Sequence, residues 1–107
     1  MNIPELLHQQ HIFFRTQKTK DINFRLKFLK QLKFEIQSRE QDIYDALNKD
    51  FKKSVFESFM SEYGLVISEL DLVIKNLHKW AKPKRNKSSM LTFPSSDYIY
   101  KDPYGTI

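Results

Sequence analysis

Cysteine is absent from this 107-residue chain. Disulfide scaffolds, thiolate metal sites and cysteine nucleophiles are therefore excluded within these residues. Glycine occurs only at Gly64 and Gly105, which is too little for a glycine-rich phosphate loop. No apolar run approaches the roughly 20 residues that a membrane-spanning helix requires. Glu5, His8, Gln9, Gln10 and His11 interrupt the first apolar stretch, so no signal peptide is read. A cytoplasmic location is the resulting expectation. The Asn86-Lys87-Ser88 sequon means little without a secretion route.

What remains favours a soluble folding sequence. Hydrophobic residues make up 40% and charged residues 29% of the chain, a balance that disordered sequences lack. Nine Phe, five Tyr and one Trp supply bulky core material. The length allows one small domain, and such a chain buries only about two-thirds of its unfolded surface, so its core must be thin.

The net charge of +5 is unevenly spread. Residues 1–34 carry seven Lys/Arg against two acids, residues 35–74 carry four against nine, and residues 75–107 carry seven against two. Alternating blocks suit segments that meet one another, whereas a nucleic-acid binder more often keeps one basic face.

Helical periodicity dominates. Ile3, Leu6, Leu7, Phe13 and Phe14 share one stripe of a first helix reaching to about Gln17, with Pro4 tolerated in its first turn. A second helix is expected from Ile22 to about Gln37, with Asp21 as N-cap and Ile22, Leu26, Leu29, Leu32 and Ile36 buried. Ser38-Arg39-Glu40-Gln41 has the form of a capping box and predicts a third helix over Arg39 to Lys49. Ser54-Val55-Phe56-Glu57 is a second capping box. It opens a long helix whose apolar residues from Phe56 to Trp80 stay in phase until Pro83. Gly64 inside it costs about 1 kcal/mol relative to alanine.

The pattern then changes. Residues 1–82 read as a helical segment, 83–97 as a basic, Ser-rich connector, and 98–107 as the start of a β-hairpin. In that hairpin Tyr98-Ile99-Tyr100 is the first strand and Asp102-Pro103-Tyr104-Gly105 a type I turn. Thr106-Ile107 would begin the returning strand. A two-stranded hairpin is marginal by itself, so the expectation is a truncated sheet within a longer protein.

Candidate chemistry is sparse. Glu5, His8 and His11 have metal-ligand spacing on a helix, but a site needs three or four converging ligands and ordinary surface residues are the better reading. Asp42/Asp45 and Glu62/Glu69 fall on polar helix faces, where solvated charge is expected rather than acid–base catalysis. Arg25, Lys27, Lys30 and Lys33, interleaved with Phe24, Phe28 and Phe34, form a basic–aromatic set that could meet phosphates, as could Lys82-Pro83-Lys84-Arg85-Asn86-Lys87. No specific nucleic-acid motif accompanies either set.

An ordered series of residues carries more information than any of these. Asp42-Ile43, Ala46-Leu47, Asp50-Phe51 and Lys53-Ser54 are followed by Glu69-Leu70-Asp71, Asn76-Leu77, Trp80 and Lys82-Pro83. Tyr98-Ile99-Tyr100 and Pro103-Tyr104-Gly105-Thr106-Ile107 complete it. From residue 21 onward this order resembles the N-terminal region of an aldehyde dehydrogenase of the class 3 (fatty and aromatic aldehyde) type. Phe51, where leucine is commoner, is a mild departure. The resemblance implies that this mainly α stretch is a piece of an α/β fold with a Rossmann-like NAD-binding domain. It also implies aldehyde oxidation to carboxylic acids with NAD or NADP through a cysteine nucleophile, a glutamate base and an oxyanion-holding asparagine.

All three of those residues would lie downstream of Ile107. No catalytic, cofactor-binding or metal-ligating residue is therefore assigned here, and the piece alone is expected to be inactive and to bind no cofactor. The implied partners are the remainder of the dehydrogenase chain, a second subunit in a homodimer, and a small aldehyde substrate. The alternative is a small basic helical module that binds nucleic acid or an acidic protein.

Overall fold

A computed structural model describes residues 2–105. Helix α1 (Ile3–Arg15) leads through a 3₁₀ turn at Lys18–Lys20 into α2 (Ile22–Ser38) and then α3 (Glu40–Phe51). A continuous helical stretch follows, made of α4 (Val55–Ser58), a π-helical turn (Phe59–Tyr63) and α5 (Gly64–Trp80). Two short antiparallel strands, β1 (Lys84–Asn86) and β2 (Asp97–Ile99), complete the described chain.

Local chemistry explains most of these boundaries. Pro4 sits in the first turn of α1, where its missing N–H has no intrahelical partner to lose. Asp21 caps α2 by accepting the Asn23 N–H at 2.9 Å. At α4 the capping box forms in full: the Ser54 hydroxyl accepts from the Glu57 N–H, and the Glu57 carboxylate accepts from the Ser54 N–H. Lys52 takes the left-handed conformation (φ 58°) that closes α3.

The capping box expected at Ser38 does not form. Ser38 is the last residue of α2, and its hydroxyl donates to the Glu35 carbonyl at 2.9 Å. Arg39 becomes the junction residue (φ −113°, ψ 23°) and gives α3 no side-chain cap. The serine satisfies an orphan carbonyl behind it rather than an orphan N–H ahead of it.

Residues 83–97 also differ from expectation. The stretch read as a connector contributes β1, whose partner is β2 in the register Lys84↔Ile99, Arg85↔Tyr98 and Asn86↔Asp97. Tyr98-Ile99 therefore pairs with an upstream strand, and no turn forms at Asp102–Gly105. The expected returning strand at Thr106-Ile107 lies outside the described residues. Side-chain bonds fold the intervening loop: the Ser88 hydroxyl donates to the Ser95 carbonyl at 2.7 Å, and Ser89 caps a 3₁₀ turn over Met90–Thr92.

Packing is thin. α2 lies against α5, pinned by Lys33 Nζ to Asp71 Oδ1 at 2.5 Å, and α3 lies against α4 and the π turn. Only Tyr44, Tyr63 and Leu70 are buried hydrophobic residues among those described. Of the long phased series expected to form a core face, Phe56 is 72% exposed and Met60 56% exposed, and Val66 and Trp80 are also exposed. The radius of gyration is 19.8 Å, against roughly 13 Å for a compact chain of this size. These helices have their apolar stripes but lack enough neighbouring surface to cover them.

Candidate functional site

His8 and His11 stand exposed on α1, and Glu5 is occupied by a hydrogen bond from Gln9. No group of three or more metal-ligating side chains converges among the described residues. Asp42 and Asp45 are exposed on α3, where Asp45 accepts from Gln41 at 2.8 Å. Glu62 pairs with Lys53, and exposed Glu69 lies on the next stretch of helix. Glu62 has a charged partner but is only half-buried, and Asp42, Asp45 and Glu69 are exposed, so none has the enclosed setting of an acid–base catalyst.

The most enclosed polar cluster joins α3 to the π turn. Tyr44 donates to Glu40 Oε1 at 2.6 Å, and its ring meets the edge of Tyr63 at a centroid separation of 5.5 Å. Burial, reinforced by the Glu40 carboxylate, pushes the Tyr44 phenol up to about 12 and raises Tyr63 in the same direction. Both phenols stay protonated near neutrality, so this cluster fastens helices and offers no proton-transfer group at ordinary pH.

The basic–aromatic set on α2 divides in a way that the sequence did not show. Lys27 and Lys30 are exposed. Arg25 instead lies half-buried on a cleft of about 890 Å³. Phe13 and Phe14 from α1, Phe24, Phe28 and Leu32 from α2, and Leu77 from α5 make most of its wall. Phe24 stacks between Phe13 (5.8 Å) and Phe28 (4.6 Å), so the aromatic wall is continuous across the two helices. Residues 101–105 form the remaining rim, held by an ion pair between Lys20 and Asp102 at 3.2 Å.

Arg25 Nε donates to the Thr19 carbonyl. Its terminal guanidinium nitrogens meet no hydrogen-bond acceptor among the described residues. The Thr19 hydroxyl is buried and also without a partner among the described residues. The interleaving of Phe and basic residues was the only sequence signal for this arrangement. Periodicity could not separate Arg25, which turns into the cleft, from the solvated lysines.

The residues present do not fit a dinucleotide. The described sheet has two antiparallel strands, Gly64 lies inside a helix, and no glycine-bearing strand–loop–helix unit is present among the described residues. A pyrophosphate cradle needs backbone N–H groups exposed by glycines at such a junction.

No family model matches the chain. Similar proteins are nevertheless clear. The 4,4'-diaponeurosporen-aldehyde dehydrogenase of Staphylococcus aureus is 40% identical over 108 residues, an alignment that spans 100% of this chain and 24% of that protein. Aldehyde dehydrogenase family 3 member B3 of Mus musculus is 40% identical over 94 residues, or 88% of this chain and 20% of the mouse protein. Among solved structures, one described as the substrate-bound state of Staphylococcus aureus AldH superposes with a TM-score of 0.91 at 39% identity. That match covers 97% of this chain and 23% of the neighbour. The chain thus spans between a fifth and a quarter of the length of these relatives, and nothing in them supports a small basic module for nucleic acid or an acidic protein. Its sequence and its helical architecture together place this chain with the class 3 aldehyde dehydrogenases, as the counterpart of their N-terminal region.

Proposed function

We propose that this chain serves as the N-terminal helical scaffold of an NAD(P)-dependent aldehyde dehydrogenase that oxidises aldehydes to carboxylic acids. The observation that carries the reading is the superposition at TM-score 0.91 over 97% of the chain. The thin core supports it, because helices with uncovered apolar stripes are suited to packing against a larger body. The nucleophilic thiol, the base and the dinucleotide site belong to other parts of such an enzyme. This chain has no cysteine to offer, and its described residues form no glycine-rich cradle for a pyrophosphate. Its contribution is to hold the surrounding elements in register. The working state is a homodimer acting on a small aldehyde, as the resemblance implies, and its place is the cytoplasm, the default for a sequence in which no signal peptide is read.

The test is a hybrid in which this chain replaces the matching part of Staphylococcus aureus AldH. Aldehyde-dependent formation of NADH or NADPH by the hybrid, followed at 340 nm, is the expected result. The 107-residue chain alone is expected to give none. A folded hybrid without turnover, or turnover by the chain alone, would overturn the reading.

A further inference from the structure

We propose that the cleft between α1, α2 and residues 101–105 is a receptor for a polypeptide segment from the remaining part of the dehydrogenase. That segment presents apolar side chains to the Phe13–Phe24–Phe28 wall and one carboxylate to Arg25. The inference rests on the scaffold reading above and adds to it a place, a partner chemistry and an anchoring residue.

Three observations carry it. The first is an unmet polar demand. The terminal N–H groups of half-buried Arg25 meet no acceptor among the described residues. A half-buried guanidinium is satisfied best by a carboxylate, which can accept two parallel hydrogen bonds from its fork. The second is charge. Asp102 on the rim is already paired with Lys20, so Arg25 and Lys101 leave the cleft mouth positive. The third is size. A volume of about 890 Å³ with an aromatic wall that runs across two helices has room for several apolar side chains. The relatives carry more than three-quarters of their length outside the stretch that this chain matches.

Arg25 is thus a positioning residue for docking. It is prepared in advance because its Nε bond to the Thr19 carbonyl fixes the guanidinium plane before the partner arrives.

The experiment uses the intact chain with a benzoylphenylalanine photo-crosslinker at Phe28, co-expressed with Staphylococcus aureus AldH lacking its matching region. Irradiation is expected to link position 28 to one defined segment of that protein. Arg25→Ala is expected to reduce the linked fraction roughly tenfold or more, the loss expected of a charge-assisted hydrogen bond. Thr19→Val keeps the Nε–carbonyl bond and removes only a buried hydroxyl, so it is expected to leave the linked fraction unchanged. Circular dichroism checks that both variants keep their helices. Absent crosslinks, crosslinks unchanged by Arg25→Ala, or an equal loss in Thr19→Val would overturn the proposal. So would saturable binding of laurate to the chain alone that Arg25→Ala abolishes, because the cleft would then belong to a small amphiphile. An active hybrid enzyme with no crosslink at position 28 would sink this inference alone. A crosslink without an active hybrid would sink the scaffold reading alone.

Discussion

The carbonyl oxygen of Phe59 lies 2.7 Å from the point a β-carbon on Gly64 would occupy. The Gly64 N–H bonds to that same carbonyl, five residues back, at the close of the π turn. A π turn brings the i−5 carbonyl to where an α-helix keeps its i−4 carbonyl, and here the approach leaves no space for a side chain. Glycine is therefore required by the helix at this point, although helix propensity alone disfavours it.

Gly64→Ala tests that relationship because two principles give opposite signs. In an ordinary helix interior the substitution stabilises by about 1 kcal/mol. Here the added carbon forces a shift of backbone, and overpacking of that kind costs roughly 1–3 kcal/mol. Thermal unfolding followed by circular dichroism is expected to show a lowered midpoint. A raised midpoint would show that the turn reverts to α-helix without loss.

Ser54 and Ser38 make a second contrast, since both head capping-box sequences and only one forms the box. Ser54→Ala removes the acceptor for the Glu57 N–H and is expected to cost about 1 kcal/mol. Ser38→Ala removes an exposed bond to the Glu35 carbonyl and is expected to fall within about 0.5 kcal/mol of the parent. Urea unfolding of both variants measures the difference. Equal losses would contradict the assignment of Ser38 to the end of α2.

Ser58 tests the interior. It is fully buried and its hydroxyl has no hydrogen-bond partner among the described residues. Removing an unsatisfied buried hydroxyl relieves its desolvation cost while opening very little space. Ser58→Ala is expected to leave the unfolding midpoint unchanged or raise it. A clear fall would mean that the hydroxyl has a partner after all.

The helices were legible because each carries its own instructions: the Asp21 and Ser54 caps, the apolar stripe of α2, and Pro83 after the last turn. Burial was not legible to the same degree. Phe56 and Leu70 belong to one phased series, yet Phe56 is 72% exposed and Leu70 only 9%, because periodicity gives a direction and not what lies in that direction. β1 escaped notice for a related reason. Lys84, Arg85 and Asn86 have no strand alternation, and they pair because the Ser88–Ser95 bond and the turn at Met90–Thr92 bring Asp97–Ile99 alongside. In the sequence Arg25 is indistinguishable from Lys27, Lys30 and Lys33 within one basic–aromatic set that could meet phosphates. Only the contact of α1 with α2 through Phe13 and Phe24 shows that it faces a cleft.

Alkaline pH should loosen the joint between α3 and the π turn before it loosens the rest. Tyr44 is raised to about 12 by burial and by its bond to Glu40, whereas a tyrosine in the unfolded chain ionises near its ordinary value of about 10. A group with a raised native value favours folding fully below the unfolded value. That contribution is lost as pH rises from about 10 through about 12. Tyr63 shifts in the same direction, so the two losses add in sign. Stability to urea is expected to hold up to about pH 10 and to fall steeply above it. Tyr44→Phe removes one of the two titrating phenols, so the variant should fall less steeply over the same interval. Parallel decline of parent and variant would show that the phenol of Tyr44 ionises alike in the folded and unfolded chain, and that Glu40 does not hold its proton.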